Sequence, residues 1–322
     1  MSALAGMTAI VTGAGRGLGR SHALMLAELG AAVVVNDPGV ALGGDGADEG
    51  VASQVAKEIV AAGGRAVANT TDIASYDGAA QVVEQAVEEF GDLDIVMNNA
   101  GTMRNRAIRQ MTPQDWHAVL RVHVDGTLWT THHASRYWRE HRDGKRPRAI
   151  INTASGSAFV HSTGNANYVA AKAAVASLTI TSAKELAPYG VRVNAVTPWA
   201  RTRMTASTPE LAANVEAVEG TPNDPWDPKR VSRLVALLAE PASTVTGAII
   251  HVAGSEIGLY RGWSVAGVER FEGEDPDEGL RTALARLIES TADRGVLASE
   301  DPSVGALIAR LMGQPLESGK TR

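Results

Sequence analysis

Seven short runs of β-branched and apolar residues alternate with longer stretches of helical periodicity along this 322-residue chain. Stretches such as 17–29, 75–90 and 166–187 carry apolar residues three and four positions apart, which is typical of amphipathic helices. Strands that are separated by helices pair in parallel, because each crossover returns the chain to the same end of the sheet. The pattern therefore predicts one doubly wound α/β domain with a seven-stranded parallel sheet, whose strands are expected at 8–12, 32–36, 66–69, 94–98, 149–153, 192–196 and 248–252.

The composition excludes several classes of partner. The formal net charge is −6, and no segment concentrates Lys and Arg without acidic residues, so neither nucleic acid nor a membrane surface is an expected partner. No segment approaches about 18 uninterrupted apolar residues, and the first residues lack a basic region followed by a long apolar run. The absence of cysteine excludes disulfides, thiol nucleophiles and thiolate metal sites. We therefore expect a cytoplasmic protein without a metal site.

The segment TGAGRGLG at 12–19 lies between the first expected strand and the first expected helix. The common dinucleotide spacing requires a glycine where this chain has Leu18, whereas Gly13, Gly17 and Gly19 fit a T-G-x-x-x-G-x-G spacing. Such a loop lets the backbone approach a diphosphate closely at the positive end of a helix. The segment therefore predicts a dinucleotide site at Gly13, Arg16, Gly17, Leu18 and Gly19, with a merely tight strand-to-helix turn as the alternative.

Asp37 follows the second expected strand, eighteen residues after Gly19. A carboxylate at this place accepts hydrogen bonds from both hydroxyls of an adenosine ribose and repels a 2′-phosphate, so it favours NAD over NADP. Arg16 opposes this interpretation, because a guanidinium can pair with a phosphate. We expect the repulsion at Asp37 to be the stronger effect and predict NAD as the cofactor. The alternative is that Asp37 is only a turn residue before Pro38.

Ser155, Tyr168 and Lys172 form the group that predicts a chemical step. Tyr168 and Lys172 are four residues apart in an expected helix, so both side chains project from one face. A neighbouring ammonium and a cationic nicotinamide favour the phenolate form of a tyrosine, whose pKa is otherwise about 10. Tyr168 can then take the proton of a substrate hydroxyl, while Ser155 holds the substrate oxygen and Lys172 binds the nicotinamide ribose. For Tyr168 and Lys172 taken alone, an ordinary surface pair is the alternative.

Four segments in order resemble the short-chain dehydrogenase/reductase family: TGAGRGLG at 12–19, NNAG at 98–101, Ser155 thirteen residues before YVAAK at 168–172, and RVNAVTP at 192–198. The resemblance implies a Rossmann-like fold, NAD(P)-dependent chemistry at CH–OH groups, and a homodimer or homotetramer built on the helices around 113–141 and 166–187. It also implies cofactor contacts beyond the glycine loop. These are Asp72 and Ile73 at the adenine, Asn99, Ala100 and Gly101 along the floor, and Pro198 to Thr202 at the carboxamide.

Within that family the chain resembles the (3R)-hydroxyacyl-CoA dehydrogenase unit of peroxisomal multifunctional enzyme type 2, also called 17β-hydroxysteroid dehydrogenase type 4. The resemblance is carried by segments such as VVVNDPG, NNAGTMRNRAI and DWHAVLRVHVDGT. It implies lipid metabolism and a 3-hydroxyacyl-CoA-type substrate. A hydroxysteroid or another secondary alcohol is the alternative, and a nucleotide-sensing module without catalysis is a more distant one.

His123 stands where the wider family has the asparagine of its catalytic tetrad, and the multifunctional-enzyme branch shares the histidine. It can act in proton transfer or as a packing residue at a helix kink. Arg104 and Arg106 follow the floor motif and can pair with CoA phosphates or simply be solvated. Trp199, beside Pro198, is expected to wall the substrate pocket. The glycine-rich, acidic loop at 38–50 either folds over the adenine or is disordered.

The expected dinucleotide-binding domain comprises residues 1–260 and leaves a segment at 261–322. Apolar residues recur at helical spacing in this segment, at Leu280, Leu284 and Leu287 and again at Val304, Leu307, Ile308 and Leu311. We therefore predict a C-terminal helical extension that acts as a substrate lid or packs in a subunit interface.

Overall fold

The computed structural model describes residues 2–40, 43, 48, 50–141, 146–160, 162–206, 224–261, 280, 282–284 and 286. By its contacts the chain divides into two compact units, Met1–Tyr260 and Arg261–Arg322. After Arg261, the few described residues of the second unit are helical and include Leu280 and Leu284. Leu287 and the predicted helix around 304–311 lie outside the described residues. The roles of the extension as a lid or an interface stay predictions.

The first unit alternates strands and helices along the chain. Its strands are β1 (Thr8–Thr12), β2 (Ala32–Asn36), β3 (Arg65–Asn69), β4 (Ile95–Asn98), β5 (Arg148–Thr153), β6 (Val191–Trp199), β7 (Ile249–Ala253) and β8 (Glu256–Tyr260). Its α-helices are α1 (Gly17–Glu28), α2 (Gly50–Ala61), α3 (Tyr76–Phe90), α4 (Pro113–Leu120), α5 (Gly126–Glu140), α6 (Ser157–Val160), α7 (Ala166–Leu186), α8 (Arg203–Ala206) and α9 (Pro228–Ala239).

The strands form one sheet in the order β3-β2-β1-β4-β5-β6-β7-β8. Strands β1 to β7 are parallel, as the sequence predicts. The order reverses between β1 and β4, and ligands of such sheets bind in the crevice beyond the carboxyl ends of the strands at this point. The glycine loop after β1 and the NNAG segment after β4 therefore meet at the same place.

The sheet has one strand more than the seven that the sequence predicts. Strand β8 pairs antiparallel with β7, after a turn at Gly254 and Ser255. Gly254 has a φ of +57°, a conformation that suits a tight hairpin turn. Ile257 and Leu259 point from β8 to solvent and are 68% and 69% exposed, so β8 lacks the buried apolar run by which the other strands were found.

Both faces of the parallel sheet are covered, which explains why its strands are continuously apolar. On one face, side chains such as Val11, Val33 and Ile151 pack with α1, α2 and α9. On the other face, Ile10 and Ile150 are among the residues that pack with α3, α5 and α7. The two buried layers fix the carboxyl ends of β1, β4, β5 and β6 as a rigid platform.

The predicted continuous helix at 113–141 is interrupted. Helix α4 begins with Thr112, whose side chain accepts a hydrogen bond from the backbone of Asp115, and with Pro113 at its first position. A π-helical segment at Arg121–Asp125 separates α4 from α5. Single π-helical turns within helices are rare and often lie at functional sites. His123 lies in this turn.

Candidate active site

The glycine loop and the floor motif are in direct contact. Gly13 has a φ of +62°, and a Cβ on it would lie 2.7 Å from the Cα of Ala100. A Cβ on Gly19 would overlap the carbonyl oxygen of Gly13 and the side-chain amide of Asn99. Gly17 lies beside Thr202, whose Cγ2 is 3.7 Å from the position of a Cβ. The three predicted glycines thus give room for a close approach between neighbouring loops.

Hydrogen bonds tie these loops together at the crevice. The hydroxyl oxygen of Thr12 accepts the backbone N–H groups of Asn99 at 3.0 Å and Ala100 at 3.1 Å. The side-chain amide of Asn99 donates to the carbonyl oxygens of Thr12 at 3.0 Å and Gly13 at 3.1 Å. Gly101 packs so closely on the ring of His123 that a side chain could not be added there. The predicted floor residues Asn99, Ala100 and Gly101 are therefore brought to the glycine loop.

The first turn of α1 is suited to an anion. Its residues Gly17, Leu18, Gly19 and Arg20 include no acid, and within the described residues no side chain caps it. The unpaired N–H groups and the positive end of the helix dipole therefore face the crevice. The side chain of Leu18 packs with Ala200 and the core beneath it, so Leu18 offers only its backbone to a ligand.

Asp37 and Arg16 lie on the ribose side of the loop. One carboxylate oxygen of Asp37 accepts the N–H of Gly15 at 2.9 Å, and the other accepts the N–H of Gly39 at 2.7 Å. Arg16 forms an ion pair with Asp48 at 3.0 Å. Asp37 is thus fixed by the backbone, while the charge of Arg16 is balanced by Asp48. Most of the rest of the 38–50 loop beyond Val40 lies outside the described residues.

The residues expected at the adenine are held by other groups. Asp72 forms an ion pair with Arg121 and accepts the N–H of Ala74 at 3.0 Å. The Ile73 side chain is buried and packs against Gly126 in α5. Ile73 can therefore meet an adenine only through its backbone, whereas the carboxylate of Asp72 is partly exposed.

The segment after β6 reaches the same crevice. Pro198 lies near the end of β6, in register with Val252 of β7. The N–H of Thr202 donates to the hydroxyl of Thr205 at 2.8 Å, and the N–H of Thr205 donates to the hydroxyl of Thr202 at 3.2 Å. The ring of Trp199 lies 6.3 Å from that of Trp226, centre to centre. The predicted carboxamide side of the site is therefore next to the glycine loop through Thr202.

Ser155, Tyr168 and Lys172 converge at the end of β5. Ser155 follows that strand, and Tyr168 and Lys172 lie in the first turns of α7. The Lys172 Nζ donates to the carbonyl oxygen of Thr153 at 2.5 Å and lies 5.7 Å from the centre of the Tyr168 ring. The Ser155 hydroxyl lowers the pKa of the phenol, and its own oxygen accepts the N–H of Ser157 at 3.2 Å. The three predicted side chains are therefore one cluster.

Burial controls the protonation of this cluster. Burial raises the pKa of the Tyr168 phenol, and the hydrogen bond from Ser155 lowers it in part. Burial also lowers the pKa of Lys172 to about 7. The sequence analysis predicts that the lysine charge dominates the pKa of Tyr168. In the structure, desolvation by burial is the larger effect on the pKa values of both Tyr168 and Lys172. A cation bound beside the phenol would shift the balance towards phenolate.

His123 is buried next to the phenol. Its ring centre lies 5.4 Å from that of Tyr168, edge to face. Its Nε2 lies 2.8 Å from the carbonyl oxygen of Thr102, and within the described chain its buried Nδ1 has no hydrogen-bond partner. Burial, and then the charge of Lys172, hold the pKa of His123 well below 6.5. A neutral imidazole packed in a π-helical turn fits the packing alternative better than a proton donor.

The family assignment comes from comparison with known proteins. Residues 7–212 match the model of the short chain dehydrogenase family. The chain belongs to this family. It is therefore an oxidoreductase by family, and its α/β fold agrees with that of a solved short chain dehydrogenase from Mycobacterium avium, with a TM-score of 0.77 and 42% identity over 89% of this chain and 96% of that one.

Two curated relatives lie in the branch that the sequence indicates. The hydroxyacyl-CoA dehydrogenase ChsB1 of Mycobacterium tuberculosis is 41% identical over 97% of this chain and 95% of its own length. The peroxisomal multifunctional enzyme type 2 of Drosophila melanogaster is 39% identical over 77% of this chain, which spans 39% of that longer protein. The predicted resemblance to this branch of the short-chain dehydrogenases is confirmed.

This short-chain dehydrogenase contains a buried residue that the sequence analysis missed. Asn167 is fully buried, and its amide nitrogen donates at 3.0 Å to the carbonyl oxygens of Arg104 and Asp115. Its amide oxygen lies 2.8 Å from the backbone N–H of Tyr168. Its place directly before the tyrosine in NYVAAK was the available signal. Asn167 joins the start of α7 to α4 and to the loop after β4.

Arg104 and Arg106 are close to this junction and face an acid. Their guanidinium groups lie 3.9 Å and 3.5 Å from the carboxylate of Asp115. Arg104 also donates to the carbonyl oxygen of Gly43 at 2.7 Å. Hydrogen bonds from Thr112, together with the two guanidinium charges, lower the pKa of Asp115. Arg106 remains more than half exposed, so of the two arginines it is the more accessible to a ligand.

The described residues offer neither a metal site nor a membrane-spanning helix. They contain no cluster of three or more His, Asp or Glu side chains that could hold a metal ion. Within the same residues, no helix combines the length and the apolar character needed to cross a membrane.

Proposed function

We propose that the chain is an NAD-dependent 3-hydroxyacyl-CoA dehydrogenase that interconverts a secondary alcohol and a ketone by hydride transfer. The observation that carries this proposal is the cluster in which the Ser155 hydroxyl lowers the pKa of the buried Tyr168 phenol and the buried Lys172 Nζ lies 5.7 Å from the centre of the phenol ring. The glycine loop with its uncapped helix start and close contact to the floor motif fits a dinucleotide. These features come together at the strand ends where ligands bind in open α/β sheets.

The chemistry of the chain's own residues follows from this geometry. When bound, the nicotinamide supplies the site that accepts the hydride of the alcohol carbon. Tyr168 removes the proton of the substrate hydroxyl as phenolate, and it returns a proton to the oxygen in the reverse direction. Ser155 donates a hydrogen bond to the substrate oxygen, because its own oxygen is oriented by the N–H of Ser157. Lys172 stabilises the phenolate by its charge and would bind the nicotinamide ribose.

Two contacts support NAD rather than NADP. The carboxylate of Asp37 is held by two backbone N–H groups at the end of β2, where a 2′-phosphate would meet its charge. Arg16, the residue that could offset this repulsion, is engaged by Asp48. The sequence left Arg16 as an opposing signal, and its ion pair weakens that signal.

The acyl-CoA substrate class rests on the named relatives. One relative that spans nearly the whole chain is named a hydroxyacyl-CoA dehydrogenase. The partly exposed Arg106 could meet a CoA phosphate at the edge of the site. A hydroxysteroid or another secondary alcohol is the second candidate. The same proposal includes a homodimer or homotetramer and a cytoplasmic location, the latter supported by the lack of cysteine.

The test follows NADH formation with (3R)- and (3S)-hydroxyacyl-CoAs of several lengths, hydroxysteroids and simple secondary alcohols, with NAD and with NADP. We expect turnover of a 3-hydroxyacyl-CoA with NAD, and loss of this turnover in Tyr168→Phe while NADH binding persists. Turnover of hydroxysteroids alone would favour the second candidate. Bound NADH without turnover of any alcohol, and no difference between wild type and Tyr168→Phe, would favour a nucleotide-sensing module.

A further inference from the structure

The antiparallel strand β8 places an aromatic ring against the segment that follows Ser155. The rings of Tyr260 and Phe159 are stacked, with centres 4.2 Å apart and planes inclined by 13°. Phe159 belongs to α6, the short helix that begins two residues after Ser155. Stacked aromatic pairs stabilise a geometry beyond the apolar area that they bury.

Helix α6 is bonded directly to Ser155. The N–H of Ser157 donates to the Ser155 hydroxyl oxygen at 3.2 Å, and the N–H of Ala158 donates to the Ser155 carbonyl oxygen at 3.1 Å. The N–H of Phe159 donates to the carbonyl oxygen of Gly156 at 2.9 Å. A displacement of the Phe159 ring would therefore move the backbone that fixes the serine hydroxyl.

Tyr260 is itself held by the sheet. It pairs in register with Ile249 of β7, and its ring packs edge to face against that of His251 at 6.2 Å. His251 in turn contacts the hydroxyl of Thr197 at 3.1 Å through Nδ1. Thr197 directly precedes Pro198, which lies on the expected nicotinamide side. The Tyr260 ring thus rests on the same rigid strands that carry the opposite wall of the site.

We propose that Tyr260 is a positioning residue, which through its stack on Phe159 holds the Ser155 hydroxyl towards Tyr168. The proposal deepens the proposed dehydrogenase function and rests on it for its kinetic consequence. It assigns a role to β8 and to the face of β8 opposite its exposed side chains Ile257 and Leu259.

The kinetic consequence concerns Tyr168. The hydrogen bond from Ser155 favours the phenolate, so a displaced serine would raise the pKa of Tyr168. Lys172 and His123 also face the phenol. In alcohol oxidation, where phenolate is the active form, the rising limb of the pH profile of kcat/KM, which reports the enzyme before substrate binds, would move to higher pH.

The test compares Tyr260→Leu, Tyr260→Phe and, as a control on the exposed face of the same strand, Leu259→Ala. We expect Tyr260→Leu to lower kcat by about tenfold or more, because a small misplacement of a catalytic group is costly, with the KM for NAD unchanged and the rising limb shifted to higher pH. Tyr260→Phe keeps the ring and should rescue both properties. Leu259→Ala should match wild type.

Two further experiments separate positioning from a loss of folded protein. One measures Tyr260→Leu in the Ser155→Ala protein, and the other determines the structure of a variant. If Tyr260 acts only through the Ser155 hydroxyl, Tyr260→Leu should have no further effect on kcat when Ser155→Ala is already present. If Tyr260→Leu does not fold, Phe159→Leu removes the stack from the other side. It should show the lowered kcat and the shifted pH profile expected of Tyr260→Leu. A crystal structure of either variant should show the Ser155 hydroxyl displaced from the phenol.

Unchanged pH profiles, additive losses in Ser155→Ala, or an unmoved serine in the variant structure would overturn the inference. Wild-type protein that oxidises no alcohol would instead contradict the proposed function. The variant structure would still decide the positioning role in that case.

Discussion

The Lys172 Nζ lies 5.7 Å from the centre of the Tyr168 ring, and both side chains are buried. The lysine is anchored by the carbonyl oxygen of Thr153, at the last residue of β5. Both side chains thus project from α7, and the central sheet additionally fixes the lysine ammonium. A cation in this place stabilises a phenolate far more effectively than it would in water, because the surroundings are poorly polarisable.

Lys172 is expected to weaken the fold at neutral and acidic pH. Burial lowers its pKa from 10.5 to about 7, so the unfolded chain binds one more proton than the folded chain between these two values. The free energy of unfolding of wild type, relative to Lys172→Met, should therefore rise with pH from about 7 to 10.5 and be constant below 7. Urea unfolding of both proteins across this pH range measures the difference in their free energies of unfolding. A difference that does not change with pH would contradict the assigned burial of Lys172. Lys172→Met should be inactive at every pH.

Asp37 and Asp48 are expected to control the choice of nucleotide together. Asp37→Asn removes the charge that opposes a 2′-phosphate and should lower kcat/KM for NAD by about tenfold while raising that for NADP. Adding Asp48→Ala to the Asp37→Asn protein releases Arg16 and should raise kcat/KM for NADP further. Initial rates with both nucleotides provide the comparison. Asp48→Ala alone is the control and should keep the preference for NAD, whereas unaltered NADP rates in the double variant would refute the assignment.

His123→Asn is expected to keep most of the activity. The asparagine is the residue of the wider family at this position, and a histidine whose pKa lies well below 6.5 is neutral throughout the working range. We expect kcat within about tenfold of wild type and no change in the pH profile between pH 6 and 8. A loss of about a thousandfold, or the disappearance of a titration from that profile, would instead indicate proton transfer by His123.

Asn167 is expected to contribute to both stability and turnover. Asn167→Ala leaves the carbonyl oxygens of Arg104 and Asp115 without this donor and should lower the free energy of unfolding by about 2–4 kcal/mol. Because Asn167 precedes Tyr168, kcat should fall as well. Chemical denaturation and steady-state kinetics check the two effects. The control is Asn105→Ala, at an exposed position nearby, which should change stability little. Equal stability of the two variants would contradict a stabilising role of Asn167 between α7, α4 and the loop after β4.

The parts of the structure that depend on local spacing could be predicted from the sequence. The parallel strands were visible as continuous apolar runs because both faces of the sheet are covered. The glycine loop was visible because Gly13 and Gly19 are required by close contacts within a few residues of themselves and with the floor motif. Tyr168 and Lys172 lie on one helix face by their separation alone.

The remaining features depend on contacts between distant segments. The ion pair of Arg16 with Asp48 spans 32 positions, and the Phe159–Tyr260 stack joins α6 to a strand that the apolar pattern did not reveal. The pKa values also differ from expectation. Spacing places Lys172 near Tyr168, but the depth of burial, which decides the protonation of both, arises only from packing.

The most direct measurement follows the hydrogen atom itself. Wild type and Tyr168→Phe are incubated with NAD and a 3-hydroxyacyl-CoA carrying deuterium on C3, and the masses of the recovered NADH and acyl-CoA are determined. The proposed function predicts one deuterium in the NADH and a 3-ketoacyl-CoA without it from wild type, with turnover at least about a hundredfold slower in Tyr168→Phe. NADH without deuterium, or equal transfer by the two proteins, would contradict it.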